Sequence, residues 1–395
     1  MNWPSSRVEE RAWVARGRSG SRADRMLRTI NVSIPPRIAD LQYDPTGRVA
    51  RSHEAAVIAV ARLEAGYGAH LAPLADFLLR SESVASSKIE HIDAGWHAFG
   101  KALAGGKASA EAQSQLAAVH ALIAMVDAAG DGPITLDLIL RAHAMLMAPD
   151  YYQARDAGAL REVQNWIGGS DHSPLHAMYI PPPPEFVAPL MDDLIRFCNR
   201  TDLPVLAHAA IAHAQFESIH RFVDGNGRIG RALISAILRR RGLTERITVP
   251  LASAMLADTT KYFAKLGDYR RGDVDGFVDY VAAGTLDAAA ASEESARALA
   301  SLPALWDERA RPRANSADAA LLDRLLGTPV LDADAAQQIT KTSDASTYRA
   351  LGRLTAIGIL EPLSTAKRNQ VWAAVDVLAE LDALSAAIGR RMLED

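Results

Sequence analysis

The chain has 395 residues, 49% hydrophobic and 23% charged, which suits a folded protein of two or three domains and excludes a disordered or collagen-like chain. Lys and Arg total 43 against 47 Asp and Glu, a net charge of -4, so no global basic field draws it to nucleic acid or anionic lipid. Cys198 is the only cysteine, which rules out an intrachain disulfide and a multi-thiolate metal site and makes a reducing cytoplasm the expected compartment.

In chain order, the first segment carries Arg7, Arg11, Arg16, Arg18, Arg22, Arg25 and Arg28 with little periodicity, and residues 1–28 read as a disordered basic tail. The in-frame Met26 raises the question of whether residues 1–25 are native. Ser52 to Leu79 follows a helical pattern, and Arg80 to Trp96 a second one, with Ile89, Ile92 and Trp96 on one face. Residues 29–100 thus form an N-terminal helical region. Pro133 and Thr135 open a helix to about Met147. Ala157 to Pro184 is rich in glycine, histidine and proline, and the β-prone His176 to Ile180 ahead of four prolines predicts an exposed hairpin. Helices are expected over Glu185 to Asn199, Pro204 to Ile219, Arg228 to Arg241, Ala254 to Leu266 and from Val274 onward. Residues 301–315, with Pro303 and Pro312, read as a linker between a core at 101–300 and a small unit at 316–395.

The densest chemistry lies between two of these helices, in His220-Arg-Phe-Val-Asp-Gly-Asn-Gly-Arg-Ile-Gly-Arg231. Gly225 and Gly227 let the backbone turn tightly and approach a ligand. The helix that follows points its unpaired N–H groups and positive dipole end into the loop, an anion site reinforced by Arg228 and Arg231. Asp224 offers a hard oxygen to Mg2+ on a phosphate chain, and His220 can take a proton near neutral pH. The literal G-x-G-x-x-G from Gly225 to Gly230 lacks the strand a dinucleotide fold requires. His213, Glu217 and His220 at i, i+4, i+7 lack the second Glu-x-x-His helix of a di-metal bundle.

This loop resembles the signature of the Fic family, His-Pro-Phe-x-(Asp/Glu)-Gly-Asn-Gly-Arg-x-x-Arg, with Arg221 where the family has proline. The resemblance implies a mainly α fold: a Fic helical core with a short β-hairpin flap, here joined to a small C-terminal winged helix-turn-helix domain. It implies a nucleotidyltransferase that moves AMP from ATP, with Mg2+, to a Ser, Thr or Tyr hydroxyl of a protein, itself included. By position, His220 would be the base and Asp224 the metal ligand. Gly225, Asn226, Gly227, Arg228, Gly230 and Arg231 would bind the nucleotide, with Tyr262 and Phe263 beside it. Removal of AMP by the same site, a kinase-like reaction and a non-catalytic or toxin–antitoxin-type regulator remain open; Gly227 argues against the kinase-like branch, which carries lysine there.

Gly158-Ala-Leu-Arg161 and Gln164 to Gly169 are similar to the segment before the family's flap, and His176, Ala177, Met178 and Tyr179 to the flap itself, which pairs with the target backbone. Ser86-Ser-Lys-Ile-Glu90 resembles the inhibitory helix motif, in which the glutamate would pair with Arg231; His91 stands where the family has Gly or Asn. At the C-terminus, Ala335 to Ile339, Lys341 to Asp344 and Ala345 to Ile357 would be the helix-turn-helix and Ile359 to Trp372 the wing, with Lys367 and Arg368 at its tip. Residues 316–395 carry a net charge of -3, which favours protein contact over DNA. A protein target and a homodimer complete the expected partners, with no membrane.

Overall fold

A computed structural model describes residues 3–15, 19–67, 72–150, 154–363 and 370–394. It is 64% helix, and its contacts divide it into two compact units. One comprises residues 1–55, 121–243 and 259–283, the other 56–120, 244–258 and 284–395.

The expected disordered tail is instead built into the first unit. Strand β1 (Arg7–Ala12) pairs antiparallel with β2 (Thr29–Ile34), and the short helix α1 (Arg22–Met26) lies between them. Ser21 and Asp24 form a capping box at the start of α1. Two tryptophans outweigh the arginines. Trp13 is buried with Ile30, Val32 and Ile34 against Trp166 and Phe186, and Trp3 packs on Tyr43 and Tyr269. Burial of aromatic surface on this scale offsets the ordering entropy of a short arm. Arg16 and Arg18 lie outside the described residues.

Helices α2 (Gly47–Tyr67), α3 (Ala72–Ile89), α4 (Gly95–Leu103), α5 (Ala110–Asp131) and α6 (Leu136–Met147) follow. The helix expected from Arg80 to Trp96 is two helices. A Schellman turn ends α3: His91 N–H bonds to Lys88 C=O at 3.0 Å and Ile92 N–H to Ser87 C=O at 3.0 Å. His91 takes the left-handed conformation, φ 61°, that this turn demands. That is the position where the inhibitory motif has Gly or Asn, the residues that adopt it most cheaply.

Helices α7 (Pro184–Cys198), α8 (Val205–Ile219) and α9 (Asn226–Arg240) form the centre of the first unit, with α8 packed on both α7 and α9. Every residue of α8 from Leu206 to Ile219 is buried, so its apolar face is the whole helix. The helix expected over Ala254 to Leu266 is broken at Asp258 into α10 (Leu251–Ala257) and α11 (Thr259–Arg270).

The expected linker is also largely helical. Helix α12 (Val274–Ala310) runs through Pro303. The buried Trp306 donates its indole N–H to Asp376 at 2.7 Å, and that anchoring outweighs the hydrogen bond lost at the proline. Beyond it lie α13 (Ala317–Leu325), β3 (Val330–Asp332), α14 (Ala333–Thr340), α15 (Asp344–Ala356), β4 (Leu360–Pro362), β5 (Val371–Ala374) and α16 (Val375–Glu394). The three strands form an antiparallel sheet in the order β3-β5-β4. The expected wing tip, Lys367 and Arg368, falls outside the described residues. Among the described residues no helix is long and apolar enough to cross a membrane.

Candidate active site

His220 terminates α8 in a left-handed conformation, φ 47° and ψ 60°, with its N–H bonded to Phe216 C=O at 3.0 Å. For a residue with a Cβ this costs about 1–2 kcal/mol. Arg161, almost fully buried, holds it there. Its Nε donates to His220 C=O at 2.8 Å, while Nη1 and Nη2 reach the carbonyls of Val163 at 3.0 Å and Pro182 at 2.5 Å. Burial lowers the guanidinium pKa to about 10, so it remains a cation. Burial, with the nearby charges of Arg161 and Arg270, pushes the imidazole of His220 down to about 3, so at neutral pH the ring carries no proton to shed before accepting one.

The loop after His220 is closed by its own asparagine. Asn226 is buried, accepts from Phe222 N–H at 2.8 Å and donates to Phe222 C=O at 2.9 Å. Its side-chain amide thus helps hold the loop closed. Gly225 caps α9 at φ 76° without a side chain, and the first intrahelical bond is Ile229 N–H to Gly225 C=O at 3.2 Å. The first-turn amides of α9 consequently open toward the loop, with buried Arg228 and Arg231 on the same helix. Asp224 is exposed, and one carboxylate beside an anion nest suits Mg2+, which keeps most of its shell as water and phosphate. Among the described residues no three His, Cys, Asp or Glu side chains cluster to hold a metal by themselves.

Two further expected nucleotide residues pack against α8. Gly230 faces α8, where an added Cβ would collide with Glu217 Oε1 and come within 3.0 Å of the Phe216 ring. It is glycine for helix packing. Tyr262 is fully buried and bonded to His213 Nε2 at 2.9 Å, a core position, whereas Phe263 is about half exposed.

The expected flap hairpin is a single bridge between Ile167 and Tyr179 rather than a regular ladder. Gly168 and Gly169 turn the chain at φ 70° and 77°, and a Cβ on Gly169 would meet Ala177 N at 2.7 Å. His176 and Met178 are exposed, Ala177 is half-buried, and Tyr179 is buried with its hydroxyl on Ser218 C=O at 2.6 Å and Arg270 stacked 3.5 Å from its ring centre. Only the first three residues offer a surface to a partner.

His143 was not legible as a site residue. It lies on α6 as one apolar-face histidine among others, yet its Nδ1 accepts Gly158 N–H at 2.9 Å and its Nε2 donates to Asp224 C=O at 3.0 Å. The only signal was the proximity of Gly158 to the flap segment.

The match to known proteins falls on this machinery. Residues 133–238 match the Fic/DOC family. That stretch of the chain is thus similar to a Fic domain. The protein adenylyltransferase Fic of Drosophila erecta is 31% identical over 152 residues, 38% of this chain and 27% of its own. The protein adenylyltransferase fic-1 of Caenorhabditis elegans is 29% identical over 152 residues, with the same coverage. The chain thus spans about a quarter of the length of these curated relatives. A Fic family protein from Desulfovibrio desulfuricans G20 shares the fold, with a TM-score of 0.52 at 22% identity over 84% of this chain and 98% of that one. The matched residues span α6 to α8 and most of α9, and so include His143, Arg161, His176 to Tyr179 and the whole loop from His220 to Arg231.

In the second unit, Ser86 is buried on α3, and Glu90 follows Ile89, the helix's last residue, just before the left-handed His91.

Proposed function

We propose that this chain is a protein adenylyltransferase that moves AMP from ATP to a Ser, Thr or Tyr hydroxyl of a protein, itself included. The observation that carries the reading is the juncture of α8 and α9. A neutral His220 is locked at one end of a loop whose other end presents open amides, Arg228 and Arg231.

In this reading His220 accepts the proton of the target hydroxyl as that oxygen bonds to the α-phosphorus of ATP. The bond between the α-phosphorus and the bridging oxygen to the β-phosphate breaks, and pyrophosphate leaves. The amides at the start of α9 and the two arginines stabilise the charge on the phosphate oxygens. Asp224 would hold Mg2+, which when bound neutralises part of the phosphate charge. Arg161 keeps His220 in place throughout. Met178 and His176 offer exposed side chains beside the segment that would pair with the target backbone.

Glu90 we place as an autoinhibitory residue, with Ser86 one turn before it. The Schellman end of α3 supports this, because it reproduces with His91 the turn that Gly or Asn serves in the motif. The C-terminal order α13-β3-α14-α15-β4-β5 supports the winged-helix reading. A cytoplasmic location and a homodimer belong to the same proposal.

The test uses ATP labelled at the α- or the γ-phosphate. Label from the α-position on protein, lost in His220→Ala and increased in Glu90→Gly, is the expected result. Label from the γ-position alone would make the protein a kinase. No protein label from either position in the wild type or Glu90→Gly would overturn the transferase reading.

A further inference from the structure

The low net charge of residues 316–395 speaks against DNA only if the charge is evenly spread, and it is not. A cavity of about 610 Å³ in the second unit is lined by Arg311, Arg313, Arg349 and Arg353, with Asp318 as its acid. Arg353 neutralises that acid with two bonds, Nε to Oδ1 at 3.0 Å and Nη2 to Oδ2 at 2.5 Å. Arg311, Arg313 and Arg349 are exposed and, among the described residues, none of them meets a carboxylate.

Four acids of this segment are engaged away from the groove. Asp376 accepts from Trp306, Asp382 from Trp96 at 2.6 Å, Glu361 pairs with His97 at 3.2 Å, and Asp332 caps α14 by accepting from Ala335 N–H at 2.8 Å. Arg311 and Arg313 come from the stretch just before this segment, so with Arg349 the groove carries a local excess of three positive charges beside a segment that is negative as a whole.

Backbone strain adds an independent observation. Arg311 ends α12 at φ 44°, with its N–H on Asp307 C=O at 2.8 Å, a position where glycine is the favoured residue. Pro312 follows and stiffens the turn. An arginine held at a strained, rigid corner points to a function for its charge.

The element beside these arginines supplies the shape. Helix α15 follows α14 after the turn at Lys341, itself left-handed at φ 50°, and Tyr348 stands 48% exposed on it, edge-on to Trp372. Thirteen residues of helix extend about 20 Å, and one helix fits the DNA major groove, about 12 Å wide, while flanking arginines take phosphates. We propose that the groove of Arg311, Arg313, Arg349 and Arg353 receives the phosphate backbone of duplex DNA along α15. This binding is independent of AMP transfer and stands or falls without it.

The test is fluorescence anisotropy of the full chain with a labelled 24-base-pair duplex between 50 and 200 mM KCl. Three phosphate contacts give a slope of about -2.7 in log K against log salt, a loss of about 40-fold over that range. Arg311→Ala/Arg313→Ala/Arg349→Ala should weaken binding at least tenfold and flatten the slope. The matching triple lysine variant should retain both, at an unchanged thermal midpoint. Arg353 is left in place because its removal would strand Asp318. No binding by the wild-type chain at 50 mM KCl, or equal binding by the folded alanine variant, would overturn the proposal. So would displacement of the duplex by polyglutamate as effectively as by unlabelled duplex, which would make the groove a site for acidic protein segments.

Discussion

His143 donates from Nε2 to the backbone carbonyl of Asp224 at 3.0 Å. The bond fixes the tautomer, since Nδ1 must be the acceptor of Gly158 N–H. The ring also lies flat on Phe222, 3.4 Å between centres and 6° between planes. One side chain on α6 thus ties the Asp224 end of the loop to the Gly158 segment.

His143→Ala should therefore lower AMP transfer more than it lowers ATP binding. A loop displacement of about 1 Å costs on the order of 100-fold in rate. His143→Gln, which keeps a donor near the Nε2 position, should recover part of kcat. Equal loss in both variants would mean that packing on Phe222, not the bond to Asp224, is what matters.

Arg221 occupies the family's proline position and is fully buried. Its guanidinium lies 3.8 Å over the Phe222 ring and 5.3 Å from Phe216, and Nε and Nη2 have no hydrogen-bond partner among the described residues. Burial lowers its pKa well below the ordinary value. Stacking on a ring returns about 2 kcal/mol, whereas the desolvation of a buried ion costs several. Arg221→Met keeps the volume and removes that cost. Its thermal midpoint should rise by several degrees; a fall would show that the stacked cation stabilises the loop on balance.

Gly230→Ala separates packing from nucleotide binding. The added methyl meets Glu217 and Phe216 on α8, so stability should drop by about 1–3 kcal/mol. The KM for ATP in the folded fraction should stay at the wild-type value. A raised KM with unchanged stability would support a nucleotide-binding role for Gly230.

Acid should loosen the first unit before its carboxylates titrate. Burial pushes His143 and His208 down to about 4, and His213 and His220 to about 3. In the unfolded chain these rings titrate near 6.5. Between the two values the unfolded state binds more protons, so stability is full above about pH 6.5 and falls as the pH drops toward 4. The urea midpoint at pH 5.0 should lie below that at pH 7.5, and an equal or higher one would contradict the buried neutral state.

Local signals made the signature loop, the ends of α7, α8 and α9, and the helices α14 and α15 legible, because each depends on residues within a few positions of one another. The two glycines, the asparagine and the arginines around a helix start determine an anion-binding loop wherever they fold. The Gly or Asn expected after Glu90 was legible as a spacing, although only the backbone of α3 explains why that residue sits at a left-handed helix end.

Contacts between distant parts of the chain decided the rest. Arg161 reaches the carbonyls of His220, Val163 and Pro182, and His143 reaches Asp224 across 81 positions. Trp13 turned an arginine-rich arm into a strand because Trp166 lay there to receive it. Asn226 and Tyr262 were recognised as residues of the motif and its surroundings, but only packing could show that Phe222 and His213 occupy their polar groups. A sequence states which side chains are available. The free energy of burying them depends on neighbours brought together by folding, and that assigned Arg161, His143 and the arginines beside α15 their places.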